Sequence, residues 1–145
     1  MEAMLMSIRL PHNVASAAAA RRRVREAMAT VRVGRRLADD VALVLSELVT
    51  NSVRHASPLP SGELEIAWEV GKDMVVIRVT DGGGENSPVP RGVGPEEMSG
   101  RGLTIVAKIA AAWGVEDTPG GTTVWALVRA GRRHPAVPGA FHFAQ

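Results

Sequence analysis

Val41, Val44, Leu45 and Leu48, followed by the small Ser52, recur at intervals of three and four residues, the period of a helix that buries one stripe. The helix this predicts runs from about Arg36 to Ala56 and ends at Ser57-Pro58, with Pro60 closing the exit. Ahead of it, Ser7 to Leu10 alternates and stops at Pro11, as a short edge strand does. Asn13 is placed to cap a first helix from Val14 to about Met28, a stretch rich in alanine and arginine. Gly34 separates the two helices, and Asp39 and Asp40 fall early in the second, where the helix dipole favours negative charge. Glu63 to Val70 carries bulk at every second position, and Gly71-Lys72-Asp73 turns the chain back into Met74 to Thr80, an antiparallel hairpin. Leu103, Ile105, Val106, Ile109, Ala110 and Trp113 predict a third helix from Gly102 to Trp113, ended by Gly114. Val115 to Thr118 and Thr122 to Arg129 then form a last hairpin around Pro119-Gly120-Gly121. One face of such a sheet must be covered, and the three helices are its cover. The expected fold class is α+β: a two-layer α/β sandwich with three helices on one face of a mixed, mainly antiparallel sheet.

Composition narrows this further. A chain of 145 residues is one domain's worth, and we place that domain at residues 7–130, with residues 131–145 as a flexible tail whose His134 and His142 are solvated. With 46% hydrophobic and 22% charged residues the chain reads as soluble and globular rather than disordered. Its apolar runs are too short to cross a bilayer, so no membrane partner is expected. The absence of cysteine excludes disulfides and thiolate metal sites. The start of the chain lacks a secretory signal pattern, and a cytoplasmic location is the expectation. Net charge is only +2, aromatic residues are 3% and tyrosine is absent, which argues against direct nucleic-acid binding. The triplet Arg21 to Arg23 reads either as a solvated face or as a docking face for an acidic partner.

Candidate chemistry lies on a second stripe of the long helix. Glu47, Asn51 and His55 are four residues apart, so their side chains stack along one face about 5–6 Å apart. A carboxylate, an amide and an imidazole in a row suit a proton acceptor, a hard-cation ligand and a hydrogen-bonding group. A solvated polar face has the same spacing. Asp81 closes a strand directly before Gly82, Gly83 and Gly84, a pattern that serves an ordinary turn or a carboxylate aimed under a close-fitting loop. The stretch from Gly82 to Ser99 has no periodicity and is long for a compact domain, as functional loops are. Gly100-Arg101-Gly102-Leu103 puts glycines beside free helix N-terminal amides, a favourable place for phosphate, although the Gly-Lys-Ser/Thr ending of a Walker loop is missing.

These four signals in this order, ending in Gly121-Thr122-Thr123-Val124, resemble the GHKL ATPases, the superfamily of gyrase, heat-shock chaperones, histidine kinases and MutL. The short single-domain layout is similar to the bacterial anti-sigma factors that are serine/threonine protein kinases. The resemblance covers Ile8 to about Arg129 and implies binding of ATP with Mg²⁺. By it, Asp81 takes the adenine amino group, Thr122 joins the adenine site and Asn51 coordinates the metal ion. It makes Glu47 the catalytic carboxylate, assigns Gly83 to the loop over the nucleotide, and puts Gly100, Arg101, Gly102 and Leu103 at the phosphates. His55 falls where histidine is frequent in the anti-sigma subgroup, in a structural or a functional role.

Two positions depart from the family. Glu85 stands where the aspartate box carries a second glycine, and Met98 where some of these kinases carry an arginine that senses the γ-phosphate. The implied function is transfer of the γ-phosphate to an anti-anti-sigma protein of STAS type and sequestration of a sigma factor, by a chain that can also pair as a homodimer. Two alternatives stay open: a non-catalytic module whose nucleotide state sets partner binding, and the detached catalytic domain of a histidine kinase.

Overall fold

A computed structural model describes residues 4–84, 101–131 and 137–138, with backbone alone at Met4, Arg101, Gly102, Val137 and Pro138. The expectations that concern Glu85, Met98, Gly100 and the rest of residues 85–100, and those on His134 and His142, lie outside the described residues.

The elements follow the order β1 (Met4–Pro11), α1 (Ala15–Thr30), α2 (Arg35–His55), β2 (Glu63–Gly71), β3 (Met74–Asp81), α3 (Arg101–Ile109), β4 (Ala112–Thr118), β5 (Gly121–Arg129) and the two-residue β6 (Val137–Pro138). The strands form one sheet in the order β1-β2-β3-β5-β4-β6; every pairing is antiparallel except β4 with β6. The three helices among the described residues lie on one face of it, which gives the expected two-layer α+β sandwich.

Helix α2 is the centre of the layer. It packs between α1 and α3 and rests on β3 and β5. Its stripe of Val41, Val44, Leu45 and Leu48 is buried, and it meets Ala20, Val24 and Met28, which repeat every four residues along α1. From below come alternate residues of the strands: Leu64, Ile66 and Trp68 from β2, Val75, Ile77 and Val79 from β3, Val124, Ala126 and Val128 from β5. Deleting one of these larger core side chains to alanine costs about 2–5 kcal/mol.

Three local expectations are corrected. The first helix starts at Ala15 with Val14 in the capping place and no side-chain cap; Asn13 offers only its carbonyl, to the Ser16 amide at 3.1 Å, while the Ser16 hydroxyl donates to the Pro11 carbonyl at 2.6 Å. The long helix starts at Arg35 with no acidic residue in its first turn. Asp39 and Asp40 therefore sit a turn deeper, Asp39 paired with Arg25 at 3.5 Å on the surface and Asp40 buried.

The third correction is larger. Helix α3 ends at Ile109, and Trp113 and Gly114 belong to strand β4. The Ala110 amide still bonds within the helix to the Val106 carbonyl, whereas the next amide, of Ala111, crosses to the Leu127 carbonyl of β5. The strand period then places Trp113 in the core opposite Ala126 and turns Gly114 to the other face, opposite Trp125. A β-carbon on Gly114 would lie 2.9 Å from the Trp125 ring, so glycine here makes room for an indole rather than ending a helix.

Candidate functional site

The C-terminal half of α2, the end of β3 and the start of β5 meet at one end of the molecule. Asp81 is the last residue of β3 and pairs in register with Thr122, and both are buried. The Ser52 hydroxyl of α2 donates to Oδ2 of Asp81 in a short hydrogen bond, and the Gly83 amide donates to Oδ1 at 2.8 Å. Each carboxylate oxygen thus keeps a lone pair for a further donor. Burial pushes the Asp81 carboxyl above the ordinary aspartate value; the hydrogen bonds from Ser52 and Gly83 and the nearby His12 ring act in the opposite direction.

Behind Ser52 stands His12, from the corner between β1 and α1. Its Nε2 lies 3.1 Å from the Ser52 carbonyl and 3.5 Å from the Ser52 hydroxyl. A carbonyl only accepts, so Nε2 carries the proton and donates. The Ser52 carbonyl also accepts the Ala56 amide that closes α2, at 2.9 Å. Asp81 is therefore held through one serine to two other elements.

Close backbone contact completes this end of the site. The Ser57 amide donates to the Gly83 carbonyl at 2.9 Å and the Gly82 amide to the Ser57 carbonyl at 2.8 Å, which stitches the exit of α2 to the exit of β3. Gly83 adopts a φ of +84°, and a β-carbon there would stand 3.1 Å from the Thr122 hydroxyl. At Gly121 a β-carbon would lie 2.1 Å from the Asp81 carbonyl oxygen, so any side chain would force β5 away from β3 beneath the site.

The stripe Glu47, Asn51, His55 does not share one environment. Asn51 is buried at 7% exposure, and its Oδ1 has no hydrogen-bond partner among the described residues. Leaving a buried carbonyl oxygen unpaired costs about 1–3 kcal/mol, so a native structure that keeps one calls for a ligand or another reason. A neutral oxygen with both lone pairs free suits a hard cation that retains most of its waters, and Asn51 thus fits Mg²⁺ held jointly with phosphates. Among the described residues no group of three acidic or histidine side chains forms a metal site by itself. Glu47, one turn earlier, is half-buried, with its carboxylate on the Asn51 face of α2. His55 is exposed in the last turn, where with Arg54 it complements the helix dipole.

On the far side of α2, helix α3 opens at Arg101 and Gly102. Leu103 is fully buried in the core, so its side chain anchors the helix. Ser52 and His12 are additions that sequence reasoning missed: Ser52 read as a small core residue, and His12 carried no periodic or motif signal at all.

Residues 10–128 match the family of the histidine kinase-like ATPase domain, which spans every described element except part of β1, the end of β5 and β6. A comparison with curated proteins finds no match. With the match covering most of its length, the chain belongs to the histidine kinase-like ATPase domain family of the GHKL superfamily.

Proposed function

We propose that the protein is an ATP-dependent serine/threonine kinase acting as an anti-sigma factor. In this reading it sequesters a sigma factor and transfers the ATP γ-phosphate to a hydroxyl of an anti-anti-sigma protein of STAS type. The observation that carries the nucleotide part is the unpaired, buried Oδ1 of Asn51, one turn from Glu47 and one residue from the serine that holds Asp81. The partners rest on the resemblance of the short single-domain layout to anti-sigma kinases.

Asp81 accepts the adenine amino group on a remaining lone pair, with Thr122 beside it on β5. Guanine presents a carbonyl at that position and is rejected by the carboxylate. Asn51 Oδ1 would hold the metal ion, whose charge would screen the phosphates. By the resemblance, Gly100, Arg101, Gly102 and Leu103 serve the phosphates, since the start of a helix favours negative charge. Glu47 accepts the proton of the substrate hydroxyl as that oxygen bonds to the γ-phosphorus and the bond from phosphorus to the β-γ bridging oxygen breaks, releasing ADP.

Titration calorimetry of the full chain in Mg²⁺ tests the site. ATP and ADP should bind and GTP should bind at least about tenfold more weakly, the equivalent of one lost hydrogen bond to a charged group. Equal binding of ATP and GTP contradicts the adenine assignment of Asp81.

A further inference from the structure

At the opposite end of the sheet lies a cavity of about 630 Å³ between the α1–α2 connection, the β2–β3 turn and the end of β5. Strand β3 separates the two ends: Met74 lies beside the cavity and Asp81 at the nucleotide end, about 23 Å away at strand rise. The cavity walls include the apolar Val31, Val33, Leu37 and Val70. Around its mouth stand Arg32, Arg35, Arg36, Lys72 and Arg129, all exposed, and none has an ion-pair partner among the described residues. The carboxylates that line it are Asp73 and the buried Asp40. The mouth is therefore strongly cationic over an apolar floor.

Two features of this rim run against local stability. Arg32 occupies the position after α1 that glycine normally takes: its φ is 62°, its amide donates to the Ala29 carbonyl at 3.2 Å and the next amide, of Val33, to the Met28 carbonyl at 2.9 Å. A side chain in that left-handed conformation costs free energy that glycine avoids. Arg35 and Arg36 then open α2, where positive charge opposes the helix dipole and the first turn holds no acidic residue. Local choices that disfavour the fold and converge on one cavity point to a use other than folding.

We propose that this cavity is a docking site for an acidic protein segment that inserts an apolar side chain between the arginines. The cations match carboxylates, with guanidinium forks suited to bidentate pairing, and the floor of Val33, Leu37 and Val70 takes the apolar anchor. The site is separate from the nucleotide site and does not depend on the kinase reading.

The test uses the full chain and a fluorescein-labelled acidic peptide of alternating glutamate and leucine, monitored by anisotropy and by amide chemical shifts. Three probes are compared: this peptide, one of equal charge with serine in place of leucine, and inorganic pyrophosphate. The leucine peptide should bind, with shifts confined to residues 31–37, 70–73 and 129–131, and the serine peptide should bind roughly tenfold more weakly. Arg32→Gly should raise Tm by about 2–4 °C, and Arg32→Gly and Arg36→Glu should each weaken peptide binding roughly three- to tenfold. Neither should alter ATP affinity. Unchanged peptide binding in both variants, equal binding of the serine peptide, shifts centred on Arg21 to Arg25 of α1, or pyrophosphate occupying the cavity in place of the peptide would each overturn the proposal. A rise in Tm for Arg32→Gly would show that its loss of binding does not come from unfolding.

Discussion

Ser52 donates its hydroxyl to Asp81 across 29 residues of sequence, joining the central helix to the end of the central strand by one buried hydrogen bond. The bond ties the two halves of the site together. Asn51 and Glu47 belong to the same stretch of α2 as the serine, and Asp81 shares its strand end with Thr122. Whatever fixes Asp81 therefore also fixes its distance from the stripe on α2.

Removing the donor should show the strength of this link. Ser52→Ala leaves a buried carboxylate with one protein donor instead of two, and we expect a loss of about 1.5–3 kcal/mol in unfolding free energy at neutral pH. The bond favours the ionised carboxylate, so the loss should shrink at low pH as Asp81 takes a proton in both proteins. Urea unfolding at two pH values measures this. A loss that does not change with pH means that Ser52 acts by packing alone.

Asp81→Asn should separate binding from stability. Burial raises the Asp81 pKa in the fold above its unfolded value of 3.8, so the folded state holds the proton more tightly than the unfolded chain. Wild-type stability then falls as pH rises from 3.8 through the raised value and stays reduced above it. Asparagine has no such titration. The stability of Asp81→Asn relative to wild type should therefore increase with pH across that window, while ATP affinity at neutral pH drops about 10- to 150-fold through the lost charge-assisted hydrogen bond. Thermal unfolding from acid to neutral pH and calorimetry with ATP report the two effects independently.

Asn51→Ala addresses the metal. Its unpaired oxygen contributes nothing to the ligand-free fold that the variant would lose, and removing it relieves a buried polar group. If the residue acts through the ion, as proposed, nucleotide affinity should fall in Mg²⁺ and change little in EDTA. Equal losses in both conditions make Asn51 a direct nucleotide or packing residue.

The parts of this architecture visible in the sequence were those set by one dominant period. The buried stripe of α2 and the alternation of β2 and β3 each repeat over enough residues to fix both element and face. Asp81 stands out because it ends a strand directly before three glycines, Thr122 comes only from the family resemblance, and the structure pairs the two in register. The end of the helix at residues 103–113 is not legible, because Trp113 continues the helical spacing of Ile109 by chance and only the partner strand shows that the Ala111 amide leaves the helix. His12 was invisible for a related reason. Its contact with Ser52 spans 40 residues and depends on how β1 and α1 meet, which no local pattern encodes.

The central claim is phosphoryl transfer with Glu47 as proton acceptor, and the direct measurement is transfer of label from γ-labelled ATP to a serine or threonine of candidate STAS-type antagonists. Wild type should label its antagonist, and Glu47→Gln should bind ATP within a few-fold of wild type yet transfer roughly 10²- to 10⁴-fold more slowly, the range for general base catalysis. Sigma binding should survive the substitution, since it needs the folded, nucleotide-loaded protein and no chemistry. Absence of transfer by the wild type to every candidate would leave a nucleotide-gated binding module, and transfer by Glu47→Gln at the wild-type rate would contradict the mechanism outright.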